Sequence, residues 1–469
     1  MSALVTPISI SIVGGGLSGS ALALLLGKYG YKNIHVFEKR PRENDPQQRA
    51  RSINLALSER GIKTLEKTGI IHEIQDIAIP MNGRMIHSVD GKQTFQPYSS
   101  DANRCLYSVS RQLLNDKLKG HADELGNVKF HYNSNISELN LRSKTFTSTD
   151  TKLNNTSKYS FNTLIGCDGA FSQVRSNMVK FDRQEYSQSY LKHGYKELSI
   201  PANEDGSFKL DKNSLHIWPR NSYMMIALPN IDGSFTCTLF FPFDSIEEGG
   251  DCFSKLNSKD QVEEFFKRVF PDAYGMMPTL LEDYFQNPTS SLVTIKTEPW
   301  YYKDTSVLVG DAAHAIVPFY GQGMNAAFED CLEFYNTMIN TFPDASLESF
   351  SAEKLENAYK SYQNARKANS DAIAEMAVEN FFEMRDLVAD PLFVFQKKVE
   401  HLLETKFPGR YISRYELISF STTPYSEAQN TGRINRNILS KLVENNTDYD
   451  LSKIDLTLAD RLIKVLLNK

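Results

Sequence analysis

The chain has 469 residues, of which 41% are hydrophobic and 23% charged, and its formal net charge is −5. This length suffices for two or three packed units, and the composition is ordinary for a globular protein. The negative balance and the lack of a basic run argue against nucleic acid as the main partner. No window approaches the roughly 18 apolar residues of a membrane span.

The cysteines are scattered and odd in number, and no CxxC pair occurs. They are Cys105, Cys167, Cys237, Cys252 and Cys331. The pattern therefore indicates neither a metal site nor a disulfide framework, and it favours a reducing, cytoplasmic compartment. The opening "MSALVTPISISIVGGG" lacks the basic and apolar regions of a signal peptide, so we interpret it as a short leader into a strand.

The first elements predicted along the chain are a strand, a glycine turn and a helix. An apolar run from Ile8 to Val13 meets "GGGLSG" and then "SALALLLGKYG". A second strand, "NIHVFEKR", follows and carries Glu38 at its end. This order predicts a βαβ unit with a parallel sheet.

The glycine turn fits a dinucleotide-binding fingerprint, G-x-G-x-x-G, at Gly14, Gly16 and Gly19. The first glycine permits the tight turn, the second lets the backbone approach a pyrophosphate, and the third allows close packing of strand and helix. The helix N-terminus then faces the phosphates, and Glu38 can accept hydrogen bonds from a ribose. The alternative is a chance glycine turn.

Only one such fingerprint occurs in the chain. The protein is therefore either a nicotinamide dehydrogenase or a protein that holds FAD and admits a nicotinamide transiently. Further along, residues 127–170 predict several strands that end in "TLIG" before "CDGA". Residues 215–241 predict an antiparallel sheet in a separate lobe, and "VLVG" at Val307 predicts a buried strand. The pattern after this strand is mostly helical.

Two later segments, "CDGA" and "GDAAH", favour a protein that holds FAD over a nicotinamide dehydrogenase. Asp311 could accept hydrogen bonds from ribityl hydroxyls, although it could also be a helix cap. The glycines of "PFYGQGMN" would lay backbone against a flat ring, and the next helix would point its N-terminus at the charge of a reduced flavin. For His314 we expect a structural hydrogen bond.

These three fingerprints in this order are similar to those of the single-component FAD-dependent aromatic hydroxylases. Within that family the chain resembles the branch that hydroxylates L-kynurenine, over most of its length from about Ile8 to Phe420. The strings that carry the resemblance are "RSINLALSERG", "PMNGRMIH", "LHIWPRNSYMMIALPN", "SFTCTLF", "GDAAHAIVPFYGQGMNAAFEDC" and "NFFEMR".

The resemblance implies a reaction of tryptophan degradation. L-kynurenine would be hydroxylated beside its ring amino group to 3-hydroxy-L-kynurenine, with NADPH and O2, through a flavin C4a-hydroperoxide. FAD would be bound tightly and NADPH transiently. The flavin would carry the chemistry, so no catalytic side chain and no metal is expected.

The fold class predicted is α/β, with a Rossmann-like FAD-binding domain, an antiparallel-sheet substrate domain and a helical C-terminal region. Residues 1–180 with 290–340 would form the FAD-binding domain, with about 80–100 contributing to the substrate site. Residues 181–289 would form the substrate domain, and 341–469 the helical region closing the pocket.

The resemblance also implies which residues bind substrate. Arg84 would hold the substrate carboxylate bidentately, with Tyr98 sharing it, although an isolated arginine could equally pair with a local acid. Residues of the predicted sheet would cover the aromatic ring of the substrate. Alternatively, they are ordinary packing residues in the core of the sheet. The further implied contacts are Asn380, Tyr415, Glu383, Met384, Leu215, Ile226, Leu228, Phe240, Pro318 and Phe319.

For FAD the resemblance adds residues around the fingerprints. Asp168 and Arg175 would support the FAD and NADPH region. The full set implied for FAD is Gly14, Gly16, Leu17, Gly19, Glu38, Lys39, Arg40, Ala56, Arg111, Ile136, Asp311, Gly323, Met324 and Asn325.

The C-terminal segment "LSKIDLTLADRLIKVLLNK" departs from the eukaryotic members of the family, which usually end in an apolar anchor to the cytosolic face of the mitochondrial outer membrane. Its helical alternation predicts docking on the parent domain or, alternatively, a helix lying flat on a membrane with weak attachment. The chain could thus belong to a soluble branch or be a shortened form.

Two other functions remain open from the sequence. One is a related flavin hydroxylase of another aromatic acid or quinone precursor. The other is a non-catalytic FAD-binding protein that serves as a redox sensor or scaffold. The combination of Arg84, Tyr98, Asn380 and Tyr415 favours the kynurenine hydroxylase.

Overall fold

The structure is a computed structural model. It describes residues 5–42, 54–99, 101–246, 249–345, 350–384, 390–444 and 446–467. The chain divides into two compact units. The first comprises residues 1–77, 109–189 and 293–374, and the second comprises 78–108, 190–292 and 375–469. The three functional regions expected from the sequence stay a prediction.

Strands, singly or in runs of up to four, and helices make up the chain to about residue 310, and helices dominate after it. The strands are β1 (Val5–Val13), β2 (Ile34–Phe37), β3 (Asn54–Leu57), β4 (Ala78–Met81), β5 (Gly83–His87), β6 (Gln93–Pro97), β7 (Leu106–Ser110), β8 (Val128–His131), β9 (Ser134–Asn140), β10 (Thr145–Asp150), β11 (Thr156–Gly166), β12 (Glu185–Ile200), β13 (Ser214–Arg220), β14 (Tyr223–Pro229), β15 (Phe235–Pro242), β16 (Ser290–Glu298), β17 (Tyr301–Tyr302) and β18 (Ser306–Leu308). The helices are α1 (Leu17–Tyr29), α2 (Glu59–Thr68), α3 (Ile71–Gln75), α4 (Arg111–Asp123), α5 (Gln173–Phe181), α6 (Lys259–Val269), α7 (Pro271–Tyr274), α8 (Leu280–Gln286), α9 (Asp311–His314), α10 (Gly323–Thr341), α11 (Ala352–Phe382), α12 (Pro391–Lys406), α13 (Arg414–Ser419), α14 (Tyr425–Val443) and α15 (Leu456–Leu467).

The first unit is built on a sheet with the order β17-β18-β11-β1-β2-β8. The pairs β18–β11, β11–β1, β1–β2 and β2–β8 are parallel, and β9 and β10 extend the sheet from β11 in antiparallel fashion. The helix α1 is buried from Gly19 to Gly27, because its alanines and leucines pack on all sides, including against α4 and α10. The α/β class with a Rossmann-like βαβ start is therefore confirmed.

The second unit contains a mostly antiparallel sheet with the order β16-β12-β15-β14-β13-β5-β6. Its strands β13, β14 and β15 form the antiparallel sheet predicted for residues 215–241. One face forms a core with α6, α7 and α8, and this face includes Trp218, Met225, Cys237 and Phe241. Strand β5 joins the sheet by parallel pairing with β13, so residues 83–87 lie beside the predicted substrate strands.

The C-terminal helices of the second unit form their own apolar cluster. Ala459 and Ile463 on α15 are fully buried against residues of α12 and α14, such as Val399 and Ile438. The apolar face of the amphipathic C-terminal segment is thus used for docking within the unit. Within the described residues, no helix is long and apolar enough to cross a membrane.

Shortening the Ile463 side chain should loosen this docking. Ile463→Ala removes buried methyl groups and leaves a cavity, and we expect it to lower the free energy of unfolding by about 2 to 4 kcal/mol. Val465, on the same helix, is 67% exposed, so Val465→Ala should change it by less than about 0.5 kcal/mol. Urea unfolding of both variants measures the difference, and equal effects would contradict the docking.

Candidate active site

The loop between β1 and α1 is shaped by close backbone approaches. Gly14 has φ +100°, and a Cβ there would lie 2.4 Å from the Cys167 carbonyl oxygen. A Cβ on Gly19 would lie 1.9 Å from the Gly14 carbonyl oxygen. A larger side chain at either position would force strand and helix apart, so these two glycines are required by the loop itself.

The middle glycine of the fingerprint has a different environment. A Cβ on Gly16 would meet nothing within 4 Å, so this part of the loop faces open space. Gly16 is the N-cap of α1, and the cap lacks a side-chain hydrogen bond. The first turn of α1 contains no acidic residue. The helix N-terminus therefore offers N–H groups and partial positive charge to an anion such as a pyrophosphate.

Glu38 lies just after β2, beside this loop, and is 3% exposed. Its Oε2 accepts a hydrogen bond from the Gly15 N–H at 2.9 Å, and its Oε1 accepts from the Arg40 backbone N–H and from Arg40 Nε, both at 2.9 Å. Burial alone would raise the pKa of Glu38. The hydrogen bonds and charge of Arg40, with the Gly15 N–H, outweigh burial and hold this pKa below its ordinary value.

The lowered pKa of Glu38 predicts a pH dependence of stability. The ionised form is favoured by folding, so its contribution is complete above about pH 5 and is lost as the pH falls through the lowered pKa. We expect the melting temperature of the apoprotein to fall on acidification, and Glu38→Gln to flatten part of that fall. Glu204→Gln, at an exposed loop carboxylate, is the control. Identical curves for the wild type and Glu38→Gln would contradict this assignment.

The second candidate binding element is the turn α9, which begins at Asp311. The Asp311 side chain is exposed, and no residue of the described chain hydrogen-bonds to its carboxylate. Although Asp311 is open to solvent on one side, the protein packed around its carboxyl partly desolvates it and raises its pKa, with a further contribution from Asp330, whereas His314 and Arg111 oppose the rise. Arg111, the exposed first residue of α4, is therefore close enough to act on Asp311. The exposed carboxylate suits the hydroxyls of a flavin cofactor, and the positive charge of Arg111 suits its phosphates.

The glycine-rich segment after α9 is held by Asn325, which is fully buried on α10. Its Nδ2 donates to the carbonyl oxygens of Ala56 and Gly321, each at 2.9 Å. Its Oδ1 accepts from the Ser58 N–H at 2.9 Å. Asn325 thus joins β3, the segment before α10 and the start of α2. This role places the predicted residues Ala56, Gly323 and Asn325 in one region of the first unit.

The other residues predicted to contact FAD have varied environments. Leu17 begins α1, Met324 is buried in the first turn of α10, and Lys39 is exposed next to Glu38. Ile136 is buried on β9, two residues after Ser134, whose N–H donates to the Glu38 carbonyl oxygen. Pro318 and Phe319, which the resemblance implies as substrate contacts, also belong to the first unit. Pro318 is exposed and Phe319 is buried in the short 3-10 turn before α10.

Hydrogen bonds of Asp168 and Arg175 hold the "CDGA" segment in place. Asp168 accepts hydrogen bonds from Ser172 Oγ and from the N–H groups of Gln173 and Val174, so it caps α5. Arg175 donates to the carbonyl oxygens of Ala170 and Ala312, both at 2.6 Å. Arg175 therefore connects this segment to α9.

A separate cluster in the second unit brings together three of the residues predicted to bind substrate. The guanidinium carbon of Arg84 lies 5.0 Å from the ring centroid of Tyr415 and 5.6 Å from that of Tyr98. The two rings are stacked, with centroids 5.6 Å apart. Burial raises the pKa of both tyrosines, the neighbouring ring raises that of Tyr98 further, and Arg84 opposes both shifts. Both hydroxyls stay protonated and can donate beside a cation.

The sheet residues predicted to roof the ring lie on the same face as Arg84. Arg84 is in register with Leu215, and Ile226 is in register with Ile217. Because side chains alternate along a strand, this is the face opposite the Trp218 core. The predicted residues on it are Leu215, Ile226, Leu228 and Phe240, of which Leu228 and Phe240 are buried and the other two half-buried.

The helical residues predicted to bind substrate lie where α11 ends. Asn380 Nδ2 donates to Met384 Sδ at 3.4 Å. Glu383 accepts from Arg414 Nη2 at 2.9 Å, so its carboxylate is engaged in an ion pair with the residue before Tyr415. Arg414 also binds Glu379 at 2.8 Å. These ion pairs join α11 to α13 and so help to place the Tyr415 ring.

The sequence did not predict the residues that support these side chains. Glu416 is buried and hydrogen-bonds to Ser99 and Arg104 beside Tyr98. Asp330 and Arg366 form a buried ion pair next to α9. The available signal was Asp330 itself, a charged residue four positions from Ala326 and from Phe334 on the apolar face of α10.

The first unit and its loops define an FAD-binding flavoprotein, and comparison with known proteins agrees. A family described as an FAD binding domain matches residues 7–365. A Dictyostelium discoideum protein named kynurenine 3-monooxygenase is 64% identical over 462 residues, which cover 98% of each chain. A protein of the same name from Flavobacterium psychrophilum is 44% identical over 95% of this chain and 96% of its own. The chain belongs to the kynurenine 3-monooxygenase family, and it is an FAD-dependent monooxygenase.

Solved structures share the fold at low sequence identity. The p-nitrophenol 4-monooxygenase PnpA from Pseudomonas putida has a TM-score of 0.64 at 16% identity, covering 93% of this chain and 98% of its own. P. aeruginosa PqsL in complex with 2-aminobenzoylacetate has a TM-score of 0.64 at 20% identity, covering 81% and 97%. At these identities the likeness concerns the fold alone.

Proposed function

We propose that this protein hydroxylates L-kynurenine to 3-hydroxy-L-kynurenine, a step of tryptophan degradation, using NADPH and O2. The observation that carries the proposal is the Arg84, Tyr98 and Tyr415 cluster. A cation flanked by two protonated tyrosine hydroxyls suits the carboxylate of an amino acid substrate. The names of the similar proteins supply the particular substrate.

The residues that would hold FAD fit it chemically. Gly16 leaves open space at the N-terminus of α1, where phosphates are stabilised, and Asp311 presents an exposed acceptor for ribityl hydroxyls. Glu38 would lie at the ribose, and Arg111 would contribute a positive charge near Asp311. When bound, FAD takes electrons from NADPH and activates O2 so that one oxygen atom is transferred to the aromatic ring.

The residues of the second unit would bind and orient the substrate. Arg84 would pair with the carboxylate through two parallel hydrogen bonds, which fixes direction as well as position. The half-buried side chains of Leu215 and Ile226, on the same sheet face, would contact the apolar ring and exclude water. The ring amino group already activates the substrate, so the proposal needs no nucleophilic side chain.

Membrane association through the C-terminal helix should be weak. Ala459 and Ile463 are buried, and Leu458, Leu462 and Leu466 pack against the same cluster, so much of the apolar face of α15 is engaged within the unit. We propose that α15 stays docked within its unit while the enzyme works in the cytoplasm or at the cytosolic face of a membrane. Sedimentation with anionic vesicles tests this, because strong retention of the protein would contradict it.

The proposed activity is tested with purified holoenzyme. NADPH oxidation should rise sharply when L-kynurenine is added, and less when another aromatic acid replaces it. No stimulation by L-kynurenine would overturn the substrate assignment. Stimulation by a different aromatic acid alone would instead indicate a related hydroxylase.

A further inference from the structure

A buried ion-pair network lies next to the turn that carries Asp311. Its centre is Asp330 on α10, which is fully buried. Asp330 Oδ2 accepts from the Gly310 N–H at 3.2 Å and interacts with His314 Nε2 at 2.5 Å. Asp330 Oδ1 accepts from Arg366 Nε at 2.7 Å. One carboxylate therefore holds the backbone before the turn, the last residue of the turn and a long helix, α11.

The network compensates its charges internally. Arg366 also pairs with Glu329 at 2.6 Å, and Glu329 pairs with Arg60 Nε at 3.2 Å. Two carboxylates thus lie beside two guanidinium groups. Burial alone would raise the pKa of Asp330, but His314 and Arg366 outweigh it and keep this pKa below its ordinary value. A buried charge so compensated is costly to disturb.

Asp330 contacts the residues on either side of Asp311, the proposed acceptor for the flavin. Gly310 and His314 flank Asp311 in a turn of only four residues, α9. The His314 ring is further held by stacking on Trp300, with centroids 5.0 Å apart. Fixing both ends of so short a turn restricts the directions open to the Asp311 side chain between them. Asp330 itself has no exposed surface, so it can act on a cofactor only through this turn and through its charge.

We propose that Asp330 is a positioning residue for the flavin: it orients Asp311 toward the cofactor and balances Arg366, which sets the electrostatic potential near the flavin. Without Asp330, the turn loses the two anchors that this carboxylate supplies, at the Gly310 N–H and at the His314 ring, and Arg366 loses a counter-charge. The proposal rests on FAD binding and not on the identity of the substrate. A failure to turn over L-kynurenine would therefore leave it standing.

The test replaces the carboxylate by its neutral isostere. Asp330→Asn should weaken FAD binding to the apoprotein by roughly 10- to 100-fold, measured by quenching of flavin fluorescence. The midpoint potential of the residual bound flavin should rise, because uncompensated positive charge favours the electron-rich reduced form. A purely structural role would not move the potential in this direction. Unchanged affinity or an unchanged potential would overturn the proposal.

The matched control is the adjacent carboxylate on the same arginine. Glu329→Gln removes a partner of Arg366 but leaves both anchors of the turn, so FAD affinity should stay within about twofold of the wild type. An equal loss of affinity in Glu329→Gln would overturn the proposal. If Asp330→Asn does not fold, His314→Phe tests the proposal in its place. This variant retains an aromatic ring against Trp300 but lacks the nitrogen that contacts Asp330. Weaker FAD binding in His314→Phe would support the proposal, and wild-type binding would overturn it.

Discussion

Replacing Arg84 by alanine should abolish most kynurenine binding while the protein keeps its FAD. A charge-assisted, bidentate hydrogen bond to a carboxylate contributes about 2 to 4 kcal/mol, which corresponds to roughly 30- to 1,000-fold in Kd. Arg84 lies in the second unit, whereas the residues that would hold FAD lie in the first. Titration of the flavin absorbance with L-kynurenine measures the loss, and the spectrum of the purified variant reports FAD content.

Two controls make the Arg84 result specific. Arg84→Lys keeps the charge but not the planar fork, so its affinity should lie between those of the wild type and Arg84→Ala. Arg142 is an exposed arginine of the first unit that also lies near an aromatic ring, with its guanidinium carbon 5.7 Å from the ring centroid of Phe181. Arg142→Ala should bind L-kynurenine normally. If Arg84→Ala loses FAD instead of substrate affinity, the assignment of Arg84 is wrong.

Replacing Gly19 by alanine should eliminate FAD binding because the added methyl group clashes with the protein backbone. The added Cβ would lie 1.9 Å from the Gly14 carbonyl oxygen, a distance that no relaxation of a side chain can relieve because the obstacle is backbone. The strand β1 and helix α1 would have to separate, which removes the phosphate-binding geometry. We expect a loss of at least about 3 kcal/mol in stability and colourless protein. Circular dichroism melting and flavin absorbance measure the two effects.

The matched control for Gly19 is the middle glycine of the same fingerprint. A Cβ on Gly16 meets nothing within 4 Å in the protein, so Gly16→Ala should leave the melting temperature of the apoprotein nearly unchanged. It should still weaken FAD binding, because the added methyl group points into the space proposed for the pyrophosphate. Unimpaired FAD binding by Gly16→Ala would show that the phosphates bind elsewhere.

The local architecture could be predicted from the sequence because its signals are local. The apolar run before Gly14, the alanine-rich helix after it and the strand ending at Glu38 specify a βαβ unit within about 30 residues. The alternation from Leu215 to Phe241 similarly predicts paired strands. In both cases periodicity and glycine chemistry act between neighbours in the chain.

The supporting contacts could not be predicted, because they join residues far apart in the chain. Asp330 meets Arg366 across 36 positions, and Arg104 meets Glu416 across 312. Nothing in the local pattern specifies such partners. The parallel pairing of β5 with β13, which puts Arg84 on the same sheet face as Leu215, is also set by topology. The resemblance to a known family predicted Arg84 and Leu215 as site residues, whereas periodicity alone did not.

The most direct test of the proposed function is the origin of the oxygen atom in the product. Holoenzyme, NADPH and L-kynurenine are incubated under ¹⁸O2, and the product is analysed by mass spectrometry. We expect the 3-hydroxy-L-kynurenine formed to be about two mass units heavier than the unlabelled product. Its amount should be proportional to the NADPH consumed. Oxidation of NADPH without hydroxylated product, or product that carries oxygen from water, would contradict the proposed function.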